Sequence, residues 1–178
     1  MRFIQIAHPE KGNFLAIPEV SSQNRKYIPV GYLDESVICS NKLYMLPNAS
    51  LYIFGVFNSI VHNSWMRTFT GRMKSDYSYS PQIVYNNLVW PTINESEKLT
   101  IEKTAQQILD ARSKYQNATL SDMYGENMYL YPELLKAHEA NDKAVMDAYG
   151  FDYSLTESEI VAKLMKMYQN KIKESSTD

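Results

Sequence analysis

The feature of this sequence that most constrains its fold is a run of apolar residues at helical spacing in the first half. After a helix-start signal at Ser50, hydrophobic residues recur every three or four positions from Leu51 to Phe69, the spacing of one helix face. Further apolar residues widen this stripe until the predicted helix is hydrophobic on most sides. Because such a helix belongs inside a core, we expect the first half of the protein to be built around it.

Two residues, Gly71 and His62, bear on where this predicted helix ends and on whether it binds a metal. Gly71 stands where helices commonly end in a left-handed glycine. His62 falls in the polar gap of the helix, and no second metal ligand follows four positions later. We therefore interpret His62 as a surface or capping residue rather than a metal ligand.

Short β-prone runs precede the helix. They lie at residues 3–7, 13–18, 27–33, 36–39 and 42–46. Pro29 directs its run toward a sheet edge, because proline has no N–H to donate to a ladder. Ser40 and Asn41, between the last two runs, favour a hairpin or an interrupted strand. Met1 and Arg2 begin abruptly inside a strand-like pattern, so we expect the sequence to be a piece of a longer polypeptide.

The second half of the sequence is helical and acidic. Thr100 is a predicted N-cap, and a further helix is predicted from Pro132 to a terminal Gly150. Thr156 and Glu159 form a predicted capping box at the start of the last helix.

These patterns predict an α+β fold, and 178 residues suffice for one domain or two small ones. Residues 1–91 form a mixed, β-rich half with one central buried helix, and residues 92–178 form a bundle of about three to four α-helices. The first half holds 8 Lys and Arg against 5 Asp and Glu, and the second 10 against 15, so the net charge of −2 divides into +3 and −5. The first half is therefore the better partner for a polyanion.

Composition excludes several classes of protein. The hydrophobic share of 44% and the charged share of 21% are those of a soluble globular protein. No apolar run approaches the ~20 residues of a membrane span, and no signal peptide is visible. The single cysteine, Cys39, is typical of a reducing compartment, so we expect a cytoplasmic protein without membrane contact. The sequence has no Gly-rich phosphate loop, zinc motif or nucleophile elbow, and we expect no catalysis by this chain itself.

A polar segment at 71–91 is the best candidate for binding. Lys74 and Asp76 lie two apart, so in an extended backbone both side chains point to the same face. Lysine donates to guanine and aspartate accepts from cytosine in the major groove of DNA, so the pair is equipped to read one G·C pair. Tyr77 and Tyr79 are expected to pack against the scaffold rather than stack on bases.

Other polar residues of the first half are suited to the DNA backbone. The residues suited to phosphates are Arg25, Lys26, Arg67 and Arg72, and those suited to phosphates or base edges are Ser22, Asn24, Ser78 and Ser80. The spacing alone favours a different interpretation, a surface loop with an intrachain salt bridge.

Longer motifs resemble a known family, the MmeI-like restriction–modification enzymes. In the first half they are VSSQNRKYIPVGY at 20–32, LYIFGV at 51–56, GRMKSDYSYS at 71–80 and VYNNLVWP at 84–91. In the second half they are ILDAR at 108–112, LSDMY at 120–124 and PELLKAH at 132–138. Members of this family join an endonuclease, an adenine-N6 DNA methyltransferase, a target recognition domain and a C-terminal helical region in one polypeptide.

The resemblance implies that residues 1–91 are the later part of a target recognition domain and 92–178 the helical terminus. It implies that Lys74 and Asp76 are the variable pair that reads one base pair, and it places a second specificity position at Lys42. S-adenosylmethionine, and Mg²⁺ if the nuclease is active, would bind elsewhere in the parent polypeptide, and this fragment would hold no cofactor. The predicted partners are double-stranded DNA and the methyltransferase and helical domains of the same polypeptide.

The expected function is therefore sequence-specific recognition of double-stranded DNA within a bacterial methyltransferase and restriction endonuclease. The alternative is a protein-interaction module that docks other domains or subunits without direct contact to DNA.

Overall fold

The computed structural model describes residues 11–175. The strands are β1 (Phe14–Pro18), β2 (Val20–Ser21), β3 (Gly31–Leu33), β4 (Leu43–Pro47), β5 (Gly71–Met73) and β6 (Asp76–Ser78). The helices are α1 (Leu51–Phe57), α2 (Ile60–Phe69), α3 (Glu95–Ser113), α4 (Leu120–Met123), α5 (Pro132–Ala148) and α6 (Glu157–Ser175), with a 3₁₀ turn at Met128–Leu130. The strands precede the long helices, so the predicted α+β class is confirmed. The strand predicted at 3–7 lies outside the described residues.

The strands form two antiparallel sheets of three strands each within the described residues, ordered β3-β1-β4 and β2-β6-β5. The position of β3 at a sheet edge confirms the expectation drawn from Pro29. Both the hairpin and the interrupted strand expected from 36–39 and 42–46 are wrong, because β4 pairs with β1 and residues 36–39 form no strand. Asp34 accounts for the difference: its carboxylate accepts a hydrogen bond from the Ser36 amide at 2.9 Å, a local turn that competes with strand pairing.

Glu19 joins the two sheets between β1 and β2. Its amide donates to the Lys42 carbonyl at 3.0 Å, and its carbonyl accepts from the Tyr79 amide at 2.8 Å. The turn before β4 therefore lies beside the end of β6.

The predicted central helix is in fact two helices, α1 and α2, so the expectation of one continuous helix is wrong. Ser59 separates them in an extended conformation (φ −94°, ψ 159°), and its Oγ accepts from the His62 amide as the N-cap of α2. Asn58 ends α1, and its side chain donates back to the Phe54 carbonyl at 2.9 Å. A serine inside the apolar run was the available signal, because serine is a preferred N-cap.

Helix ends follow local sequence with two exceptions. Gly71 is not a left-handed cap, because Thr70 is the extended C-cap of α2 (φ −75°, ψ 155°) and Gly71 begins β5. Helix α3 begins at Glu95, where Asn94 and Glu97 form a capping box, rather than at Thr100.

The helix ends predicted in the last third of the chain are confirmed. Helix α5 begins at Pro132, and Gly150 follows it with φ +65°. The Glu159 carboxylate accepts from the Thr156 amide at 2.8 Å while the Glu159 amide donates to the Thr156 hydroxyl at 3.4 Å, which completes the last capping box.

One hydrophobic core extends through both halves of the chain. Helix α1 packs against α3, α3 against α5, and α2 against α6. Helices α1 and α3 approach closely at Gly55, where an added Cβ would lie 2.6 Å from the Ile101 methyl and 3.2 Å from the Ala105 Cβ. The β-rich half therefore packs directly against the helical half.

Candidate nucleic-acid interface

Residues 71–78 of the polar segment form a short hairpin, β5–β6, whose first strand and loop are exposed while Tyr77 of β6 packs into the core. Residues 71–75 are all exposed, and Met73 pairs with Asp76 across a two-residue loop. Lys74, the first loop residue, adopts a left-handed conformation with φ +58°. Lys74 and Asp76 therefore do not alternate along one extended strand as the sequence suggested, since the chain reverses between them.

Asp76 connects the hairpin to an earlier loop. Its Oδ1 accepts from the Gln23 amide at 3.3 Å, and within residues 11–175 it makes no ion pair with Lys74. The surface salt bridge of the alternative interpretation is therefore not formed by these two residues. Lys74 is exposed at the tip, while Asp76, the first residue after the loop, is half-buried.

Arg72 is held on the hairpin surface by a tyrosine ring. Its guanidinium carbon lies 4.3 Å from the centroid of Tyr77, and Nη1 donates to the Ser75 carbonyl at 2.8 Å. Tyr77 and Tyr79 are 8% and 3% exposed, which confirms that both rings pack against the scaffold. A stacked guanidinium presents its remaining N–H groups outward in a fixed fork, an arrangement suited to a phosphate.

Residues 22–26 form the second polar element, which we call the basic loop. The Arg25 amide donates to the Ser22 carbonyl, and the Asn24 amide to the Ser22 hydroxyl, each at 3.3 Å. The Lys26 amine lies 5.3 Å from the centroid of Tyr27, and the Lys26 residue is exposed. The Asn24 and Arg25 side chains turn toward the helical half: Asn24 Nδ2 donates to Glu126 at 2.5 Å, and Arg25 Nη2 donates to Ser121 at 2.9 Å.

Arg67 is bound on several sides within the protein. Its Nη1 lies 2.9 Å from Glu157 in α6, and Nη2 donates to the carbonyls of Arg25, at 3.4 Å, and Lys26. Its side chain is only 14% exposed. Arg67 therefore holds the backbone of the basic loop against α2 and α6.

Lys42 and Ser78 lie at the other end of β6 from the hairpin tip. The Lys42 side chain is 76% exposed, and its amine lies 3.6 Å from Glu19. Ser78 is half-buried, and its carbonyl accepts from the Thr70 hydroxyl. Through Glu19, the structure brings Lys42 beside the strand that carries Ser78 and Asp76.

His62 is buried, so its assignment as a surface or capping residue is wrong. Its two ring nitrogens lie 3.1 Å from the Phe57 carbonyl and 3.2 Å from the Tyr79 hydroxyl. Burial lowers the pKa of His62 to about 3, so the ring is neutral and supports Tyr79 beneath the hairpin. Sequence reasoning missed this role because the partner of His62 is 17 residues away.

No helix between residues 11 and 175 has the length and hydropathy needed to cross a membrane. In that range, no three His, Cys, Asp or Glu side chains cluster as metal ligands.

Comparison with known proteins identifies the family. The family model for the MmeI target recognition domain matches residues 1–92, and the model for the MmeI C-terminal domain matches residues 93–174. The chain belongs to the MmeI family. The resemblance inferred from the sequence motifs is therefore confirmed.

Two relatives show how the chain compares with longer proteins of known identity. The type IIL restriction–modification enzyme MmeI, whose structure was determined in complex with DNA, is 44% identical with a TM-score of 0.87. That match covers 93% of this chain and 22% of the MmeI chain. DNA methyltransferase A of Bacillus subtilis (strain 168) is 35% identical over 162 residues, which are 91% of this chain and 18% of that protein. The chain thus spans about a fifth of the length of each relative.

Proposed function

We propose that this chain selects the DNA sequence on which a bacterial restriction–modification enzyme acts. The observation that carries the proposal is the likeness, over 93% of the chain, to an enzyme whose structure was determined with DNA. The exposed hairpin supports it, because donors and acceptors that are not buried are free to meet base edges. The basic charge of the first half, +3 from 8 Lys and Arg against 5 Asp and Glu, also favours a polyanion.

Within this proposal the polar residues divide into two groups. Those that read base edges are Lys74, Asp76, Lys42 and Ser78. Those that position the duplex through phosphates are Arg25, Lys26, Arg72, Ser22, Asn24 and Arg67. The geometry favours Arg72 and Lys26 for direct contact, because both are exposed. It favours an indirect contribution from Arg67, which already binds two carbonyls and Glu157.

The chemistry of the parent enzyme is assigned to the remainder of a longer cytoplasmic polypeptide. We propose that a methyltransferase domain outside this chain binds S-adenosylmethionine and methylates adenine N6, and that an endonuclease, where active, uses Mg²⁺. The chain would then divide at residue 91 into the later part of the target recognition domain and a C-terminal helical domain.

Replacing both members of the variable pair tests the proposal. In the full polypeptide, Lys74→Ala with Asp76→Ala should change the methylated sequence at one base pair more than it lowers the rate, because each good base contact contributes about 1–3 kcal/mol of discrimination. Sequencing of methylated sites measures the outcome. The matched control is Lys103→Ala with Asp110→Ala, which removes one exposed lysine and one exposed aspartate from α3.

Two results would contradict the proposal. An unchanged methylated sequence with uniformly lower activity would remove Lys74 and Asp76 from base reading. Duplex affinity that does not fall with rising salt would favour the protein-docking alternative, because phosphate neutralisation makes DNA binding strongly salt-dependent.

A further inference from the structure

A segment of the helical half reaches across to the basic loop and is firmly anchored in the core. It comprises α4 and its flanks, residues 119–126, and we call it the bracket. Thr119 and Asp122 form a capping box at its start. Met123 and Tyr124 are 4% and 1% exposed, so the middle of the bracket is fixed by packing.

Polar contacts also fix the bracket. The Tyr124 hydroxyl accepts from Arg112 Nη2 at 2.6 Å and lies 2.6 Å from His138 Nε2. Arg112 belongs to α3 and His138 to α5, so the bracket is tied to both long helices on which the first half rests. It therefore presents its outer side chains at defined positions.

Two of those side chains contact the basic loop. Glu126 accepts from Asn24 Nδ2 at 2.5 Å, and Ser121 accepts from Arg25 Nη2 at 2.9 Å. The partners are 102 and 96 residues apart in the sequence. Arg25 Nε is buried without a hydrogen-bond partner in the described part of the chain. The hydrogen bond from Nη2 to Ser121 therefore fixes the position of the guanidinium.

The same loop is continuous with the hairpin. The Gln23 amide donates to Asp76, next to the Asn24 that Glu126 holds. Bracket, basic loop and hairpin therefore form one connected chain of contacts. A loop held in its binding conformation loses less freedom when its ligand arrives, so the restraint raises affinity.

We infer that Glu126 and Ser121 are positioning residues for DNA binding: they hold Asn24 and Arg25 so that the basic loop meets the duplex in the correct register. This inference rests on the proposed function and extends it, because it assigns part of the duplex affinity to residues of the helical half. The two residues act through the loop. They set how tightly the duplex is held and leave the choice of sequence to the hairpin.

The charge of Glu126 provides a way to separate positioning from electrostatics. A carboxylate near phosphates opposes binding through its charge, whereas the hydrogen bond to Asn24 favours binding by holding the loop. Glu126→Gln keeps an acceptor oxygen and removes the charge. Glu126→Ala removes both, so the two variants have opposite expected effects only if the hydrogen bond matters.

The experiment measures dissociation constants for a duplex containing the methylated site and for a scrambled duplex, using the full polypeptide and fluorescence anisotropy at fixed salt. Glu126→Ala and Ser121→Ala should each weaken binding to both duplexes about three- to tenfold, the effect of losing one ordering hydrogen bond. Glu126→Gln should bind as tightly as the unmodified protein or tighter. Glu102→Ala is the control, since it removes one carboxylate from α3.

A double variant distinguishes positioning from a general loss of stability. If Glu126 acts through Asn24, adding Glu126→Ala to Asn24→Ala should cause no further loss of affinity. The inference is overturned if Glu126→Ala binds as tightly as Glu126→Gln, or if the two losses add in full. Failure of the unmodified protein to bind DNA would instead overturn the proposed function itself.

Discussion

At the scale of single residues, the backbone decides what the side chains of the hairpin can reach. Lys74 has φ +58°, a conformation that costs an L-residue with a Cβ about 1 kcal/mol or more. The hairpin requires it, because two-residue loops between antiparallel strands use positive φ at their first position. The position of Lys74 at the tip therefore requires a strained backbone conformation.

Replacing Lys74 with glycine should separate the strain from the amine. Lys74→Gly should stabilise the protein by about 1 kcal/mol relative to Lys74→Ala, because glycine adopts positive φ freely. Both variants lack the amine, so under the proposed function both should lose discrimination at the same base pair. Urea denaturation measures the stability difference, and sequencing of methylated sites measures the specificity. Equal stability of the two variants would show that the loop relaxes without strain.

At the scale of elements, the contact between α1 and α3 is set by a glycine. An added Cβ at Gly55 would lie 2.6 Å from Ile101, 3.1 Å from the Asn141 side chain and 3.2 Å from Ala105. Both Ile101 and Asn141 are fully buried, so neither has space to withdraw. The Asn141 side chain also donates through Nδ2 to the Gly55 carbonyl at 2.8 Å, which holds α5 against the same turn of α1.

Gly55→Ala should therefore destabilise the protein although alanine is the better helix former. Overpacking costs about 1–3 kcal/mol and the gain in helix propensity offsets up to about 1 kcal/mol, so we expect a net loss of about 1–2 kcal/mol. Chemical denaturation measures it.

Gly71→Ala is the matched control for Gly55→Ala. A Cβ at Gly71 meets nothing within 4 Å, so its effect should stay within about 0.5 kcal/mol. Similar losses at both positions would contradict the packing argument.

At the scale of the whole molecule, a buried polar network joins the two halves. Arg112 of α3 donates to the Val30 carbonyl at 2.9 Å and to Asn58 at 3.1 Å, both in the first half. Asp142 of α5 accepts from the Tyr27 hydroxyl and from the Ile60 amide, each at 2.6 Å. Buried polar groups require such partners, so each half completes the hydrogen bonding of the other.

Asp142 in this network and the two buried histidines, His138 and His62, respond oppositely to pH. Burial raises the pKa of Asp142 from an ordinary 3.8 to about 6, against the hydrogen bonds from Tyr27 and Ile60 that lower it. Burial lowers the pKa of His138 well below its ordinary 6.5 and that of His62 to about 3. The folded protein thus keeps one carboxyl protonated and two imidazoles neutral in mildly acidic solution.

The free energy of unfolding should fall as pH is lowered from 7 to 4.5. Below about pH 6.5 each unfolded histidine binds a proton that its folded counterpart does not, so both histidines lower stability on acidification. Asp142 acts in the opposite sense between about pH 4 and 6, because its folded form binds the extra proton. The loss of stability from the two histidines exceeds the gain from Asp142. Urea denaturation across this pH range measures how the free energy of unfolding changes with pH.

Asp142→Asn provides the control for this pH dependence. Without the opposing carboxyl, acidification should lower stability more steeply than in the unmodified protein. A shallower slope in Asp142→Asn would contradict the assignment of raised pKa to this residue.

Features that depend on near neighbours were predictable from the sequence. The capping box of Thr156 and Glu159, the helix start at Pro132 and the left-handed Gly150 all depend on residues within about four positions. The apolar periodicity identified the central helices, although the N-cap at Ser59 divides them. The motifs around the hairpin identified the family.

Only the tertiary structure decided the geometry of the candidate interface. Sequence spacing placed Lys74 and Asp76 on one face, whereas pairing of β5 with β6 turns the chain between them. The guanidinium of Arg67 is chemically suited to bind a phosphate, but in the structure it binds Glu157, 90 residues away. Such contacts form when elements far apart in the sequence pack against a shared core. The local periodicity of apolar residues does not indicate which elements these are. The sequence by itself therefore determined the elements and the family, and packing determined which side chains face outward.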